Sequence, residues 1–432
     1  MREMKDSGLK WIGAVPKHWE VRKVKNYYHM QTGFTPDTKN ESYYDDVGGY
    51  DWVNISDIQD GKVITSSKKK VSQSFVDAFR PAIIPEGSLM YSFKLSVGQT
   101  AFAGKPMYSN EAIASFLPDE SVNLHYLRYS SMFIVENAQT NIYNAKILNQ
   151  DLIQNAYVPF PPLAEQRIIA DYLDQRCAEI DAVIERTKAT IEEYKKLKQS
   201  IITEAVTKGI RGDRPMKDSG IAWVPQIAAD WHISRIGLHY DVILGKMLCD
   251  RQLQDDYTLE DYFCAANVHF DGVATQGLKK MWFSPAEREN YHVNIGDLLV
   301  VEGGAGAGGA AIVTELINPT YIQNSIMIVR GKHSQTNRYL RYWIECLVKK
   351  GYIDVVCNKA TIPHFTKDKL ATMPIPVLDE TEMVEIADYL DEKCLQLDAL
   401  IARKTALLEE MESYKKSVIY EYVTGKKEVE CF

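Results

Sequence analysis

The chain repeats itself, and this repeat constrains the fold more than any other feature of the sequence. Residues 4–19, which begin MKDSG, return as residues 216–231 with the same opening letters. A second matched pair, residues 170–207 and 387–424, begins ADYLD in both copies and keeps its register without a gap. Internal repeats of this kind indicate a duplicated structural unit. We therefore expect two copies of one scaffold within a single chain.

Between the repeated pieces lie two stretches, residues 26–160 and 238–375, that barely resemble each other. Both have the mixed pattern of short apolar strands and short helices, with strands expected at 52–55, 89–93 and 298–301 and helices at 126–129 and 339–343. We call these stretches the first head and the second head. A repeated scaffold that carries two unlike heads predicts two different binding specificities.

The repeated segments 170–207 and 387–424 predict two long helices that pack along an apolar seam. Apolar residues recur there in alternating steps of four and three, which is the spacing of a coiled coil. Pro162 predicts the start of the first helix, and Gly209 and Gly425 predict the two ends. Asp379 and Glu382 suggest a capping box at the second start. The predicted seam comprises Leu173, Ile180, Ile184, Ile191, Tyr194, Ile201, Leu390, Leu397, Ile401, Leu408, Met411 and Val418.

The seam is interrupted by polar residues at matching places in the two copies. Thr187 corresponds to Lys404, and Lys198 corresponds to Lys415. Polar residues at seam positions can fix the register of a helix pair. Alternatively, the long side chains extend to solvent from a loosely packed seam. The sequence leaves both interpretations open, and it leaves open whether the helices run parallel or antiparallel.

Composition favours a protein that stays in the cytoplasm. The sequence has no long apolar run and no apolar signal core at its start. The seven cysteines are an odd number without C-x-x-C spacing, which favours reduced thiols over disulfides or a zinc site. The net charge of −8 counts against nucleic-acid binding unless a local basic patch or a partner supplies positive charge.

A search for catalytic motifs favours a binding protein over an enzyme. Residues 304–309 match G-x-G-x-x-G, but an apolar strand follows instead of a helix, so a glycine-rich hairpin is the favoured interpretation. The sequence has no phosphate-binding P-loop, and Pro161-Pro162 lacks the flanking residues of the tetrad with which amino-methyltransferases hold a base. We therefore expect no catalytic residues, no cofactor site and no metal site in this chain.

Several polar side chains are candidates for DNA contacts. Clustered lysines can hold phosphates, although such clusters also occur in solvated turns. Asparagine amides can bind the edge of adenine. The candidates are Lys68, Lys69, Lys70, Lys94, Asn110, Lys279, Lys280 and Asn324.

The repeated scaffold resembles the specificity (S) subunit of type I restriction-modification systems. The resemblance rests on W-I-G-x-V-P-x-H-W at residues 11–19, on P-P-L-x-E-Q-x-x-I-A-x-Y-L-D at 161–174, and on Ile180-Asp181, echoed by Leu397-Asp398. The second copy departs from the helix-start motif as P-V-L-D-E-T-E-M. The resemblance extends over essentially the whole chain.

This resemblance implies an α+β fold with two mixed α/β target recognition domains, separated by two long helices that form an antiparallel intramolecular coiled coil. The implied divisions are a first recognition domain at 1–160, a first long helix at 161–211, a second recognition domain at 212–375 and a second long helix at 376–432. Each domain would bind one half of a bipartite double-stranded DNA site, and the helices would set the spacer.

The resemblance also implies partners. Two methyltransferase subunits would bind S-adenosylmethionine, and restriction subunits would use ATP and magnesium, so that this chain itself needs no cofactor. Two alternatives remain open at this point: a coiled-coil scaffold whose heads bind protein, and a nuclease or methyltransferase with an unrecognised active site.

Overall fold

The computed structural model describes residues 2–94, 96–140, 146–331, 336–357 and 363–429. The chain divides into two compact units, Met1–Lys188 with Ala406–Phe432 and Ala189–Thr405. The first unit contains the first head, and the second unit contains the second head. Both units combine sheets with helices, as the α+β prediction requires.

The first unit contains a five-stranded sheet in the order β4-β11-β8-β9-β6 and a three-stranded sheet in the order β10-β5-β7, together with the pairs β1-β2, β12-β13 and β14-β3. Its strands are β1 Met4–Asp6, β2 Ala14–Pro16, β3 Glu20–Lys23, β4 Met30–Thr32, β5 Tyr50–Val53, β6 Lys62–Ile64, β7 Lys69–Val71, β8 Leu89–Ser92, β9 Thr100–Ala103, β10 Tyr108–Ser109, β11 Ile113–Phe116, β12 Gln139–Thr140, β13 Lys146–Ile147 and β14 Tyr157–Phe160. Its short helices are α1 Gln73–Phe79, α2 Leu124–Ser130 and α3 Gln150–Gln154.

The first long helix, α4, spans Leu163–Lys208 and passes from the first unit into the second. The second unit repeats the plan, with a four-stranded sheet in the order β18-β26-β23-β24, a three-stranded sheet in the order β22-β19-β25 and the pairs β15-β16, β17-β27 and β20-β21. Its strands are β15 Met216–Ile221, β16 Val224–Ala228, β17 His232–Arg235, β18 Tyr240–Leu244, β19 Thr258–Phe263, β20 Val268–His269, β21 Gly272–Val273, β22 Lys279–Phe283, β23 Leu298–Val301, β24 Ala310–Ile312, β25 Thr320–Ile322, β26 Ile326–Gly331 and β27 Pro374–Val377. Its helices are α5 Ile236–His239, α6 Pro285–Tyr291, α7 Thr336–Lys349, α8 Tyr352–Val356 and α9 Lys367–Thr372, and the second long helix, α10, spans Glu380–Val423.

The two long helices begin and end as the sequence predicts. Helix α4 starts directly after Pro162 and stops before Gly209, which has a φ of +77°. Helix α10 is followed by Gly425, whose φ of +67° is likewise in the left-handed region that favours glycine. The capping box at the start of α10 is only half formed. Asp379 caps the helix by accepting a hydrogen bond from the Thr381 amide at 3.0 Å, whereas Glu382 binds other groups.

Every predicted seam residue is buried or half-buried. The buried set is Leu173, Ile180, Ile184, Ile191, Leu390, Leu397 and Val418, and the half-buried set is Tyr194, Ile201, Ile401, Leu408 and Met411. Near the end of α4, Ile202 is fully buried, whereas its predicted neighbour Ile201 is half-buried. The reason is that Ile202 packs into the core of the second unit, so contacts outside the helix pair decide which isoleucine is buried there.

Within each unit the two helix segments run antiparallel. In the first unit Tyr172 packs on Tyr422, with ring centres 4.4 Å apart, and Asp181 forms an ion pair of 2.6 Å with Lys415. The partner number falls as the residue number rises, so the chain directions are opposite.

In the second unit Lys198 pairs with Asp398 at 2.6 Å, and Arg211 pairs with Glu385 at 2.8 Å, so the partner number again falls as the residue number rises. Lys198 and Lys415, the lysines that interrupt the seam, therefore bind carboxylates across the helix pair. This outcome favours the register interpretation.

A glutamate at the start of each long helix binds the tryptophan at the end of a short repeated segment, residues 4–19 or residues 216–231. Glu165 accepts hydrogen bonds from Trp19 Nε1 at 3.0 Å, His18 Nε2 at 2.7 Å and Arg2 Nη1 at 2.9 Å. Although burial opposes the effect, the hydrogen bonds from His18 and Trp19, together with the charge of Arg2, lower the pKa of Glu165 below its usual value.

The second unit repeats this contact. Glu382 accepts from Trp231 Nε1 at 3.3 Å and from Arg214 Nη1 at 2.7 Å. The two repeats of the sequence therefore bind each other inside each unit.

Two sequence patterns take the conformation of strands. The glycine-rich residues 304–309 connect β23 to β24 in an antiparallel hairpin, which confirms the favoured interpretation. The proline-rich segments form β14 and β27, each paired with one partner strand, where the missing proline N–H is tolerated. Among the described residues, no helix is long and apolar enough to cross a membrane.

We expect the ion pair between Asp181 and Lys415 to stabilise the antiparallel register. Lys415→Asp places two carboxylates together and should lower the free energy of unfolding of the full chain by about 1 kcal/mol. The double exchange Asp181→Lys with Lys415→Asp should recover most of the loss in urea unfolding followed by circular dichroism. Lys188→Asp, at the exposed pair with Glu185, is the matched control. A double exchange no better than the single one would contradict the pairing.

We also expect Glu165 to make stability depend on acid pH. Because its folded-state pKa is lowered, its stabilising contribution is fully present above the ordinary glutamate pKa of about 4.3 and is lost as the pH falls below that value. Glu165→Gln should destabilise the chain at pH 7 and flatten the fall in melting temperature between about pH 5 and pH 3. If Glu165→Gln lowered the melting temperature by the same amount at pH 7 and at about pH 3, this role would be contradicted.

Candidate nucleic-acid interface

The two heads share a small three-stranded sheet with the same connectivity. In the first head the central strand β5 pairs antiparallel with β7 and parallel with β10. In the second head β19 pairs antiparallel with β22 and parallel with β25. The sequences of these sheets differ, so their equivalence emerges only from the pairing.

This pairing brings the two lysine clusters to corresponding positions. In the first head Lys69 lies opposite Trp52 and Lys70 opposite Asp51. The second head aligns in the same way, with Lys279 opposite Tyr262 and Lys280 opposite Asp261. In the sequence the two clusters look unrelated, whereas in the structure they lie on equivalent edge strands, β7 and β22. Lys68, Lys69, Lys279 and Lys280 are exposed, and Lys70 is half-buried.

The carboxylate beneath each cluster has a lysine partner. Asp51 is buried and pairs with Lys105 at 2.6 Å, and the Ser67 amide donates to it at 2.8 Å. Burial opposes ionisation, but the hydrogen bonds from Lys105 and Ser67 lower the pKa of Asp51 below its usual value. In the second head Asp261 lies 3.5 Å from the Nζ of Lys280. The Nζ of Lys69 lies 5.8 Å from the centre of the Tyr44 ring, and the Lys69 side chain is exposed.

The polar residues after β10 and β25 form the second candidate region. The backbone N–H of Asn110 donates to the Val53 carbonyl at 3.0 Å, and the backbone N–H of Gln323 donates to the Phe263 carbonyl at 3.1 Å. The structural counterpart of Asn110 is therefore Gln323, and the predicted Asn324 is its neighbour. The amide of Gln323 donates to Asn324 Oδ1 at 2.5 Å. Sequence reasoning missed Gln323, because only the strand register reveals the correspondence.

Lys94 belongs to the Asn110 region of the first head. Its Nζ pairs with Glu111 at 3.1 Å, and both side chains are about half exposed. Thr35 also donates a hydrogen bond to Glu111. These contacts, first the Thr35 bond and then Lys94, lower the pKa of Glu111. The structure thus brings Lys94 and Asn110 together at one loop cluster.

A glycine in each head starts the most divergent loop. A Cβ atom at Gly33 would lie 1.9 Å from the Ser109 carbonyl oxygen, and one at Gly245 would lie 2.5 Å from the Gln323 carbonyl oxygen. Only glycine allows the backbone to run this close to the neighbouring strand. The next residues are held in the same way, since Phe34 donates to the Ser109 carbonyl at 2.9 Å and Lys246 to the Ile322 carbonyl at 3.1 Å.

The loops that follow these glycines are unlike each other. The first is acidic, with carboxylates at Asp37, Glu41, Asp45 and Asp46. The second also carries aspartates, at Asp250, Asp255 and Asp256, but it exposes three apolar side chains, Met247, Leu248 and Leu253, at 74%, 60% and 57%. Each loop is thus anchored by the same backbone contacts but offers different chemistry.

Residues 16–193 match the family model described as the type I restriction modification DNA specificity domain. The MjaIX specificity subunit of a type I restriction enzyme from Methanocaldococcus jannaschii is 23% identical over 238 residues, a match that spans 52% of this chain and 52% of that protein. The MjaVIII specificity subunit from the same organism is 21% identical, with 95% of this chain and 93% of that protein covered. The chain therefore contains a type I restriction modification DNA specificity domain at residues 16–193 and is similar to specificity subunits over most of its length. The resemblance drawn from residues 161–174 is confirmed.

A solved structure shares the fold. A chain from a structural study of complex assembly and conformational transition in the type I R-M system superposes with a TM-score of 0.71 at 18% identity. The superposition covers 96% of this chain and 99% of the other. Within the family, Lys68, Lys69, Lys70, Lys94 and Asn110 lie inside the matched specificity domain. Among the residues that the structure describes, no group of three or more His, Cys, Asp or Glu side chains is placed to hold a metal ion.

We expect Lys69 and Lys279 to bind phosphates without reading sequence. Lys69→Ala or Lys279→Ala should weaken binding of the chain to all DNA about equally. Each should reduce the slope of log K against log salt by about 1. Fluorescence anisotropy at several salt concentrations measures both effects. Lys195→Ala on the long helix is the control, and a change in sequence preference with an unchanged slope would contradict the assignment.

Proposed function

We propose that this chain is the sequence-specific DNA-binding subunit of a type I restriction-modification complex, with each head reading one half of a bipartite site. The observation that carries the proposal is the pair of heads with one strand pairing and unlike loops. The two heads have the same strand pairing but present different side chains, so one fold can recognise two base sequences. Two linked half-site contacts give greater specificity than either alone.

The base-reading side chains follow from the arrangement of each head. In the first head we assign base contacts to Asn110 and to the loop that starts at Phe34. In the second head we assign them to Gln323, Asn324 and the loop that starts at Lys246. Amides can bind adenine edges, and the exposed Met247 and Leu248 can contact a thymine methyl group. The lysines of β7 and β22 hold the phosphate backbone and carry no sequence information.

The long helices serve the partners and the spacer. We assign their length as the determinant of the gap between the half-sites. Exposed apolar residues on the helices suit docking of two methyltransferase subunits, because covering apolar surface with a partner removes it from water and favours association. The docking candidates are Ile168, Val183 and Tyr414 in the first unit and Leu197, Leu395 and Leu400 in the second.

The proposal leaves the chemistry to the partners. Methyltransferase subunits would bind S-adenosylmethionine and modify adenine, and restriction subunits would use ATP and magnesium. This chain would be non-catalytic and would act in the cytoplasm, with the DNA that it reads. Because partner subunits can supply positive charge, the net charge of −8 is compatible with DNA binding by the assembled complex.

The test is the methylation pattern of DNA from cells that express this chain with its methyltransferase subunit, read base by base. We expect one split motif, with two short half-sites at a fixed distance. A contiguous motif, or no motif from a stable complex, would contradict the proposal.

Exchange of residues 26–160 for the head of another family member gives the matched variant in the same assay. One half-site should change while the other half-site and the gap stay the same. A change in both half-sites would show that the heads do not read independently.

A further inference from the structure

Two further repeated motifs bind each other in the structure. The first is Y-L-R-Y in the short helix of each head, at residues 126–129 in α2 and 339–342 in α7. The second is the aspartate that ends A-D-Y-L-D on each long helix, Asp174 on α4 and Asp391 on α10. The first motif belongs to the heads and the second to the long helices, so the contact between the motifs connects each head to the long helices.

In the first unit Asp174 accepts three hydrogen bonds from α2. The Tyr129 hydroxyl donates to Oδ1 at 2.6 Å, and Arg128 Nη1 donates to the same oxygen at 3.0 Å. The Nδ1 of His125 lies 3.0 Å from Oδ2. Burial opposes ionisation of Asp174, but the hydrogen bonds from His125 and Tyr129 and the charge of Arg128 lower its pKa. The carboxylate is therefore charged at neutral pH and holds three groups of one helix at once.

In the second unit Asp391 binds two residues of α7 instead of three. The Tyr342 hydroxyl donates to Asp391 Oδ1 at 2.6 Å. Arg338 takes the place of His125, and its Nε donates to Asp391 Oδ2 at 2.8 Å. The position of Arg128 is taken by Arg341, which pairs instead with Glu345 at 3.0 Å. The tyrosine–aspartate bond is the part that both units keep.

The first tyrosine of each motif binds the end of the other long helix. Tyr126 is fully buried, and its hydroxyl donates to the carbonyl of Val423 at 3.1 Å, at the end of α10. Tyr339 is also fully buried and donates to the carbonyl of Val206 at 3.2 Å, near the end of α4. The last carbonyls of a helix lack partners within the helix, so these hydroxyls satisfy them. Each short helix is thus bound to both long helices.

The side chains of α2 that bind Asp174 also contact the sheets of the first head. The ring of His125 stacks on Phe102 of β9, with centres 4.4 Å apart. The guanidinium of Arg128 lies against Gly61, where a Cβ atom would come within 2.1 Å of it. In the second head Arg341 donates a hydrogen bond to the carbonyl of Phe270. The short helix therefore connects the head's sheets to the helix pair, and a rotation of the head would break the bonds to the aspartate.

We propose that Asp174 and Asp391 are positioning residues that fix the orientation of each head on the long helices and thereby restrict the spacer length that the complex accepts. This inference rests on the proposed function, because a spacer exists only for a bipartite site. It assigns to the two aspartates a role that is separate from base reading. Tyr129 and Tyr342 transmit the restraint to the heads.

The test compares spacer selectivity in the assembled methyltransferase complex. DNA duplexes carry the two half-sites found for the wild-type chain, with the natural spacer or with one base pair more or fewer. We expect Asp174→Asn to reduce the preference for the natural spacer about tenfold, because a charge-assisted hydrogen-bond network is lost. Both half-site sequences should stay unchanged. Asp391→Asn should have the same effect through the second head.

Two further variants separate positioning from stability. Asp171→Asn, an exposed aspartate one turn earlier on α4, should keep wild-type selectivity. Tyr129→Phe removes one hydroxyl and keeps the buried ring, so it should relax spacer selectivity in the same direction even if Asp174→Asn fails to fold. Melting temperatures of all variants are measured alongside.

The outcomes are distinct. Relaxed spacer selectivity with intact half-sites supports the positioning role. Methylation that falls equally on all spacers, in step with lost thermal stability, overturns it and leaves a structural role only. A wild-type chain that yields no bipartite motif would contradict the proposed function itself, whereas a bipartite motif with unchanged selectivity in Tyr129→Phe and both aspartate variants would overturn only the positioning role.

Discussion

The rest of the structure depends on the antiparallel direction of the two duplicated helices, which the charges between them favour. Each copy carries one aspartate and one lysine toward its partner helix, Asp181 with Lys198 and Asp398 with Lys415. A parallel pair in register would oppose aspartate to aspartate and lysine to lysine, which like-charge repulsion disfavours. The antiparallel pair opposes each lysine to an aspartate, at 2.6 Å in both units. One duplication thus produces two ion pairs, one in each unit.

The scaffold then holds each head through contacts that are duplicated with it. At the helix starts, Glu165 and Glu382 bind Trp19 and Trp231. At the helix ends, the buried tyrosines of the heads bind the last carbonyls. These contacts explain why the short segments at residues 4–19 and 216–231 are repeated, although their tryptophans lie 146 and 151 residues from the glutamates that they bind. They are the parts of the scaffold that close each helix terminus.

Beyond these contacts the heads are free to diverge, and the strand pairing shows where they do. The strand register makes Lys69 equivalent to Lys279, and it makes Asn110 equivalent to Gln323. The loops after Gly33 and Gly245 differ in length and chemistry, because a loop that leaves a rigid strand carries little of the fold's stability. Divergence is therefore tolerated at the surface that we assign to DNA.

The sequence by itself determined the long helices, their ends and most of their seam, because these depend on local spacing and on proline and glycine at defined positions. It also determined the duplication and, through the residues at 161–174, the resemblance to specificity subunits. Tertiary structure alone decided that Ile202 is fully buried beside the half-buried Ile201, that Glu382 binds Trp231 and not its own helix start, and that Gln323 corresponds to Asn110. Each of these depends on which strand or core lies beside the residue. Such long-range packing leaves no periodic trace in one sequence.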